Sequence, residues 1–160
     1  MLIVLIGVTG CGKSSVGKLL AAQLGWIFLE GDDFHPPANI EKLRRGVPLT
    51  DGDRIPWLKA IREVIRNKVN QRENAVIACS ALKKSYRRML QISSEVKFVY
   101  LKASIPLIEA RLKRRCNHFM NPALIRSQFD TLEDPKKALW IDAGLPLGEI
   151  AKLIRNELVV

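Results

Sequence analysis

A three-layer α/β/α fold around a five-stranded parallel sheet is predicted by three features of this 160-residue sequence. Five short apolar segments alternate with segments of helical periodicity, the pattern that puts helices on both faces of a parallel sheet. The first apolar segment, Leu2-Ile3-Val4-Leu5-Ile6, contains no polar residue, as expected of a strand buried on both faces. Directly after it stands Gly7-Val8-Thr9-Gly10-Cys11-Gly12-Lys13-Ser14, which matches the phosphate-binding pattern G-x-x-x-x-G-K-[ST].

That motif sits where its mechanism works. Val16, Leu19, Leu20 and Leu24 follow at helical spacing, and Gly25 supplies a stop. The unit is therefore strand, loop, helix. Glycines let the backbone curl around phosphates, and the helix N-terminus adds partial positive charge. The candidate nucleotide contacts are Gly7, Thr9, Gly10, Cys11, Gly12, Lys13, Ser14 and Ser15. Lys13 is expected to reach the β- and γ-phosphates of ATP, and the Ser14 hydroxyl to hold Mg²⁺. A glycine-rich turn without a ligand is the alternative. A dinucleotide loop fits less well, because its third glycine would fall at Ser15.

The remaining elements follow in order. Residues 26–29 read as a second strand, followed by Gly31-Asp32-Asp33-Phe34-His35-Pro36. Residues 39–45 read as a short helix stopped by Gly46, and residues 47–55 as a polar connection carrying Asp51, Asp53 and Arg54. Pro56 suits a first helical position, and Trp57, Ile61, Val64, Ile65 and Val69 mark a long amphipathic helix after it. Residues 75–79 are a third buried strand, 84–90 a helix, 97–101 a fourth strand, and 106–115 a helix capped near Ser104. Residues 116–121 form a polar loop, and Asn121-Pro122 starts the next helix. Residues 138–141 are a fifth strand, and Leu147, Ile150, Ala151, Ile154 and Leu158 define a last helix. The chain reads as one domain, 1–160, with no repeats or linkers.

Composition narrows the function classes. Hydrophobic content of 48% and charged content of 26% are ordinary for a globular chain. No apolar run has the length of a membrane span, and the N-terminal run lacks the flanks of a secretory leader. Three cysteines without a C-x-x-C pair suggest a reducing, cytoplasmic setting. The net charge of +10 admits a nucleic-acid partner. It equally suits a polyanionic nucleotide and an acidic small substrate, the favoured reading because no basic block is interleaved with aromatics.

The third strand ends in Cys79-Ser80 without the acid that many ATPases place there for the metal. The candidate acid instead follows the second strand, at Asp32 or Asp33. Carboxyl ends of parallel strands line one crevice, so Asp32, Ser80 and Ser14 are expected to converge there. A carboxylate in that place can take a proton from a substrate hydroxyl, which fits a small-molecule kinase. Arg54 is a candidate for gripping a substrate carboxylate or a solvated surface arginine. Arg111 and Arg115 lie four apart on one helix face and suit a closing lid that neutralises the transferring phosphoryl, or a solvated face. His35 reads as a substrate contact or as part of the turn with Pro36 and Pro37. Cys11, beside the phosphates, a helix N-terminus and Lys13, is a candidate reactive thiol or a small packed residue.

Together these residues resemble the gluconokinases of the P-loop, shikimate-kinase-like type. The specific pieces are Gly31-Asp32-Asp33-Phe34-His35-Pro36 with Asn39 and Lys42, then Gly46, Pro48-Leu49, Asp51, Asp53-Arg54 and Pro56-Trp57-Leu58. Cys79-Ser80-Ala81-Leu82-Lys83-Lys84 with Tyr86-Arg87, His118-Phe119, Gln128-Phe129 and Thr131-Leu132-Glu133 complete them. The resemblance implies a P-loop kinase fold and ATP- and Mg²⁺-dependent phosphorylation of D-gluconate to 6-phosphogluconate. By it, Asp32 orients or deprotonates the substrate hydroxyl and helps hold the metal, and Lys13 and Arg115 are catalytic. Arg54, Lys83, His35 and His118 hold gluconate, and Arg111 contacts the nucleotide. The substrate segment spans about 35–58 and the lid about 111–121. A cytoplasmic enzyme without membrane or nucleic-acid partner is implied, and a homodimer is admitted. Two positions depart from the family pattern: Cys11, where serine is common, and Asn117, where glycine is common. Asparagine tolerates positive φ, so lid motion is expected to survive. Shikimate or nucleoside-monophosphate phosphorylation and an NTP-dependent nucleic-acid module remain the alternatives.

Overall fold

The computed structural model describes residues 1–114 and 121–160. Five parallel strands are ordered β2-β3-β1-β4-β5: β1 (Leu2–Ile6), β2 (Ile27–Glu30), β3 (Ala75–Ala78), β4 (Val96–Lys102) and β5 (Leu139–Asp142). The helices are α1 (Lys13–Leu24), α2 (Pro37–Arg44), α3 (Asp51–Asn70), α4 (Lys84–Leu90), α5 (Ile105–Arg114), α6 (Pro122–Thr131) and α7 (Leu147–Leu158). A 3₁₀ turn, Gly31–Phe34, follows β2.

Strand side chains alternate between faces, and both faces here are covered. Ile3 and Leu5 of β1 pack with Val16 and Leu20 of α1, Ile108 of α5 and Ile150 and Ile154 of α7. Leu2, Val4 and Ile6 pack with Trp57, Leu58, Ile61 and Ile65 of α3 and Leu90 of α4. This double burial is the physical reason for the unbroken apolar run.

Element positions agree with the sequence reading to within two residues, with one correction. Residues 51–55 are not connection but the first turns of α3, so Pro56 lies inside the helix rather than at its start. The helix begins at Thr50, whose hydroxyl accepts the Asp53 N–H while the Asp53 carboxylate accepts the Thr50 N–H at 2.9 Å. This reciprocal cap satisfies two otherwise orphaned amides. It fixes the helix start upstream of a proline that forgoes one interior hydrogen bond. Thr-x-x-Asp was the signal for it.

Lys42 Nζ sits 2.7 Å from the Asp53 carboxylate, tying α2 to the start of α3. The Lys42 hydrogen bond, helped by the Thr50 amide, holds the Asp53 carboxyl down at about 2. A depressed carboxylate stabilises the fold above its unfolded value near 3.8, and that contribution disappears as pH falls toward 2. Asp53→Asn should therefore lower the melting temperature at neutral pH, with the gap to the parent closing between pH 4 and 2. Thr50→Ala should cost about 1 kcal/mol in urea denaturation.

Candidate active site

The loop after β1, the turn after β2 and the loop after β3 meet at the carboxyl edge of the sheet. Gly12 takes φ 104° as it opens α1, a conformation that a Cβ makes costly. Gly31 is equally constrained. A Cβ there would stand 2.3 Å from the Ala78 carbonyl oxygen, so only glycine brings the 3₁₀ turn this close to β3.

Distant segments hold the loop from outside. The Gly7 N–H donates to the Ser80 carbonyl at 3.3 Å. The Thr9 N–H donates to Gln128 Oε1 at 2.7 Å, and Gln128 Nε2 donates to Thr9 Oγ1 at 2.8 Å, a two-point grip from α6. The Arg111 guanidinium donates to the carbonyls of Cys11 (2.9 Å) and Ala143. Arg111, expected at the nucleotide, thus locks the loop to the segment after β5, and it also walls a hollow beside Gly10 and Gly12. Lys13 Nζ rests on the carbonyls of Gly7 (3.0 Å) and Val8 (2.9 Å). The first amides of α1, around Ser14 and Ser15, have no intrahelical acceptor and form the anion-binding end.

The acid that meets Ser14 is not Asp32. Ser14 Oγ donates to Glu30 Oε2 at 2.5 Å, so the carboxylate that Ser14 meets is Glu30 and not the expected Asp32. Glu30 is the last residue of β2, and a carboxylate at a parallel strand's carboxyl end faces the crevice. Sequence reasoning looked past it to the aspartates beyond Gly31. A hydroxyl beside one carboxylate fits Mg²⁺, which takes few protein oxygens and keeps water and phosphate ligands.

Asp32, in the 3₁₀ turn, has a side chain 74% exposed, with Oδ1 3.8 Å from His35 Nε2. The His35 side chain is only 5% exposed. It stacks on Trp57 with ring centroids 4.3 Å apart, and Trp57 Nε1 donates to the Gly31 carbonyl at 2.7 Å. This burial is at odds with the expected gluconate contact.

Arg54 and Lys83 do converge. Arg54 Nη1 donates to the Tyr86 hydroxyl at 3.3 Å, with its guanidinium 5.7 Å from the ring centroid. Lys83 Nζ donates to both Asp51 carboxylate oxygens, at 2.9 and 3.0 Å, and the Tyr86 hydroxyl donates to the same carboxylate. The Tyr86 and Lys83 hydrogen bonds lower the Asp51 carboxyl's proton affinity, and the bond to Asp51 raises that of Lys83. Buried Arg87 steadies this cluster by donating to the carbonyls of Ala81, Leu82 and Glu133. The sequence singles out neither Asp51 nor Tyr86 as a site residue. A hollow of about 460 Å³ opens between Lys83 and α6, beside Ser127 and Thr131. A second, of about 340 Å³, lies beside Gly10 and Gly12, walled by Arg111, Val16 and Leu147. Arg115 and His118, and with them most of the expected lid, lie outside the described residues.

The fold and this edge define a P-loop kinase acting on a small molecule and using ATP. The model of the shikimate kinase family matches residues 9–139. The gluconokinase of Gluconobacter oxydans is 47% identical over 134 residues, covering 83% of this chain and 75% of that protein. The thermoresistant gluconokinase of Escherichia coli is 42% identical, covering 94% and 90%. The crystal structure of a gluconokinase from Sinorhizobium meliloti superposes with a TM-score of 0.88 at 44% identity, covering 98% of this chain and 90% of that one. The chain belongs to the gluconokinase family.

Of the two readings of Cys11, the structure shows the small packed residue: its side chain is 1% exposed within the α1-side core, with Sγ 4.0 Å from Lys13 Nζ. Cys79 is likewise buried, with its thiol pushed up to about 12 by burial. Maleimide should label both slowly in the native enzyme and quickly in urea, as read by intact-mass spectrometry.

Proposed function

We propose that this chain transfers the γ-phosphoryl of ATP to D-gluconate, giving 6-phospho-D-gluconate and ADP. The observation that carries the reading is the pairing, at one sheet edge, of a phosphate-binding loop with a separate cationic cluster. Its support from outside the structure is the high identity to gluconokinases over most of the chain. Arg54 and Lys83 are the groups for an acidic, hydroxyl-rich substrate. Arg54 takes the carboxylate, which a guanidinium grips with two parallel bonds. Asp51 and Tyr86 add acceptor and donor capacity for hydroxyls.

Asp32 is placed in role beside the attacking hydroxyl. The transferring group passes through a loose transition state, so orienting that oxygen matters more than strong basicity. Lys13 leaves the loop carbonyls for the β,γ-phosphates, and the first-turn amides of α1 hold the phosphate oxygens. Mg²⁺, held through Ser14 with Glu30 beside it, supplies neutralising charge on the phosphates when bound. The hollow beside Gly10 and Gly12 suits the base, with apolar walls and the Arg111 plane. Segment 35–58 serves as the substrate side and 111–121 as the lid that excludes water. The cytoplasm suits an enzyme with free cysteines at 11 and 79.

A coupled assay with Mg-ATP should show D-gluconate as the preferred acceptor; higher kcat/KM for shikimate or a nucleoside monophosphate would reject the reading. Arg54→Ala should mainly raise the gluconate Kd. A charge-assisted bond is worth about 1.5–3 kcal/mol, or roughly ten- to a hundred-fold. Lys13→Ala should lower kcat with gluconate binding retained. Glu30→Gln should raise the Mg²⁺ concentration for half-maximal rate, and unchanged Mg²⁺ dependence would remove Glu30 from the metal.

A further inference from the structure

Three groups in and around the 3₁₀ turn form a hydrogen-bond sequence whose polarity can be read, and Asp32 lies just beyond its end. Its far end is the Asp53 main-chain carbonyl, which can only accept. Asn39 Nδ2 lies 2.8 Å from that oxygen, so this atom of the amide must be the nitrogen. Asn39 is 3% exposed, and its nearby partners alone determine how the amide is turned. The same nitrogen lies 3.2 Å from His35 Nδ1. A donor facing Nδ1 requires a lone pair there, and the neutral ring then carries its proton on Nε2. Nε2 is the atom that faces Asp32 Oδ1, 3.8 Å away. The exposed Asp32 side chain has room to shorten that gap to a hydrogen bond.

We propose that His35 is a positioning residue and not a gluconate contact: Asn39 sets its proton on Nε2, and that N–H turns the Asp32 carboxylate so that its second oxygen faces the substrate hydroxyl. The consequence for turnover rests on the reading of Asp32 given above; the tautomer itself does not. The packing agrees with this role. Trp57 fixes the plane of the ring by stacking and anchors the turn through Gly31, so His35 and Asp32 are held from one frame.

Protonating His35 would place an Nδ1–H against the Asn39 N–H groups, two donors face to face. Asp32 on the turn and Arg54 on α3 are the charged groups that act on the ring. Burial lowers its proton affinity, Asp32 raises it and Arg54 lowers it, with burial the largest effect. The folded value therefore lies below the ordinary 6.5, and the neutral ring persists through neutral pH.

The chain has two histidines, so ¹⁵N-histidine NMR of the whole protein reads the ring directly, with His35→Gln assigning the signal. The expected spectrum is the neutral Nε2–H form at about pH 7, titrating below 6.5. An Nδ1–H form, or an imidazolium at pH 7, would overturn the proposal. Asn39→Asp replaces the donor by an acceptor and should move the proton onto Nδ1 or raise the midpoint; an unmoved tautomer would overturn the assignment to Asn39. In kinetics, His35→Phe keeps the stack on Trp57 but has no N–H. It should lower kcat about tenfold, the scale of one lost bond to a charged group, with gluconate KM nearly unchanged. His35→Gln, which regains an N–H, should recover part of that loss. A raised KM at parental kcat would make His35 a substrate contact instead. Asp32→Asn separates the two readings. Parental kcat in that variant removes Asp32 from the chemistry. A low kcat there beside an unaffected His35→Phe overturns only the positioning role.

Discussion

Because β1 is covered by helices on both faces, its side chains must all be apolar, and its chemistry is deferred to the point where it leaves the sheet. Fully burying one such aliphatic side chain is worth about 1.5–3 kcal/mol, so five in succession anchor the strand firmly. The flanking strands inherit that anchoring. Leu5 pairs with Ala78 on one side and Val99 on the other, which sets the exits of β1, β3 and β4 at one edge. Glu30, the end of β2, is in register with Ala78. The site is thus assembled by sheet register before any polar contact is made.

A loop that binds anions through its amides must turn its carbonyls elsewhere, and buried carbonyls need donors. Lys13 satisfies those of Gly7 and Val8, and Arg111 those of Gly10 and Cys11. Gln128 adds a grip on Thr9 from α6. Arg111 and Gln128 come from the helices on either side of residues 115–120, so both flanks of that segment are bonded directly to the phosphate loop. Lys13 differs from the other two. It lies on the cleft side and can exchange its carbonyls for phosphate oxygens without undoing the loop.

Most of the architecture was legible in the sequence because period and burial are local properties of it. Strands covered on both faces read as apolar runs, and α7 reads as a clean stripe. The start of α3 was misread because Pro56 is a loud signal and Thr50-x-x-Asp53 a quiet one; the reciprocal cap outweighed the single bond that proline forgoes. Glu30 was missed because a strand's last residue is assigned to the sheet by default, although that residue is the one the crevice sees. The choice between a reactive and a packed Cys11 was not legible, because motif membership says that a backbone surrounds a phosphate, not where its side chain points. Contacts such as Gln128 to Thr9 join residues 119 apart, and no local pattern carries them. Arg115 and His118 fall outside the described residues.

The formal charge of +10 suggested polyanion binding, yet the candidate substrate cluster is not an open basic patch. Lys83 is matched by Asp51, Lys42 by Asp53, and His35 is buried beside Asp32. Arg54 differs: its hydrogen bond is to a neutral hydroxyl, Tyr86 Oη, and the Tyr86 proton goes to Asp51. A carboxylate arriving there meets a guanidinium whose present partner is weaker than a charge-assisted one. Its hydroxyls meet the acceptors of Asp51. A phosphate-rich polymer would instead bring like charge against Asp51 and Asp32, whose side chains are 60% and 74% exposed. Interspersed acids therefore select a small ligand with one anionic end and a hydroxyl-bearing chain, a constraint that the net charge alone conceals.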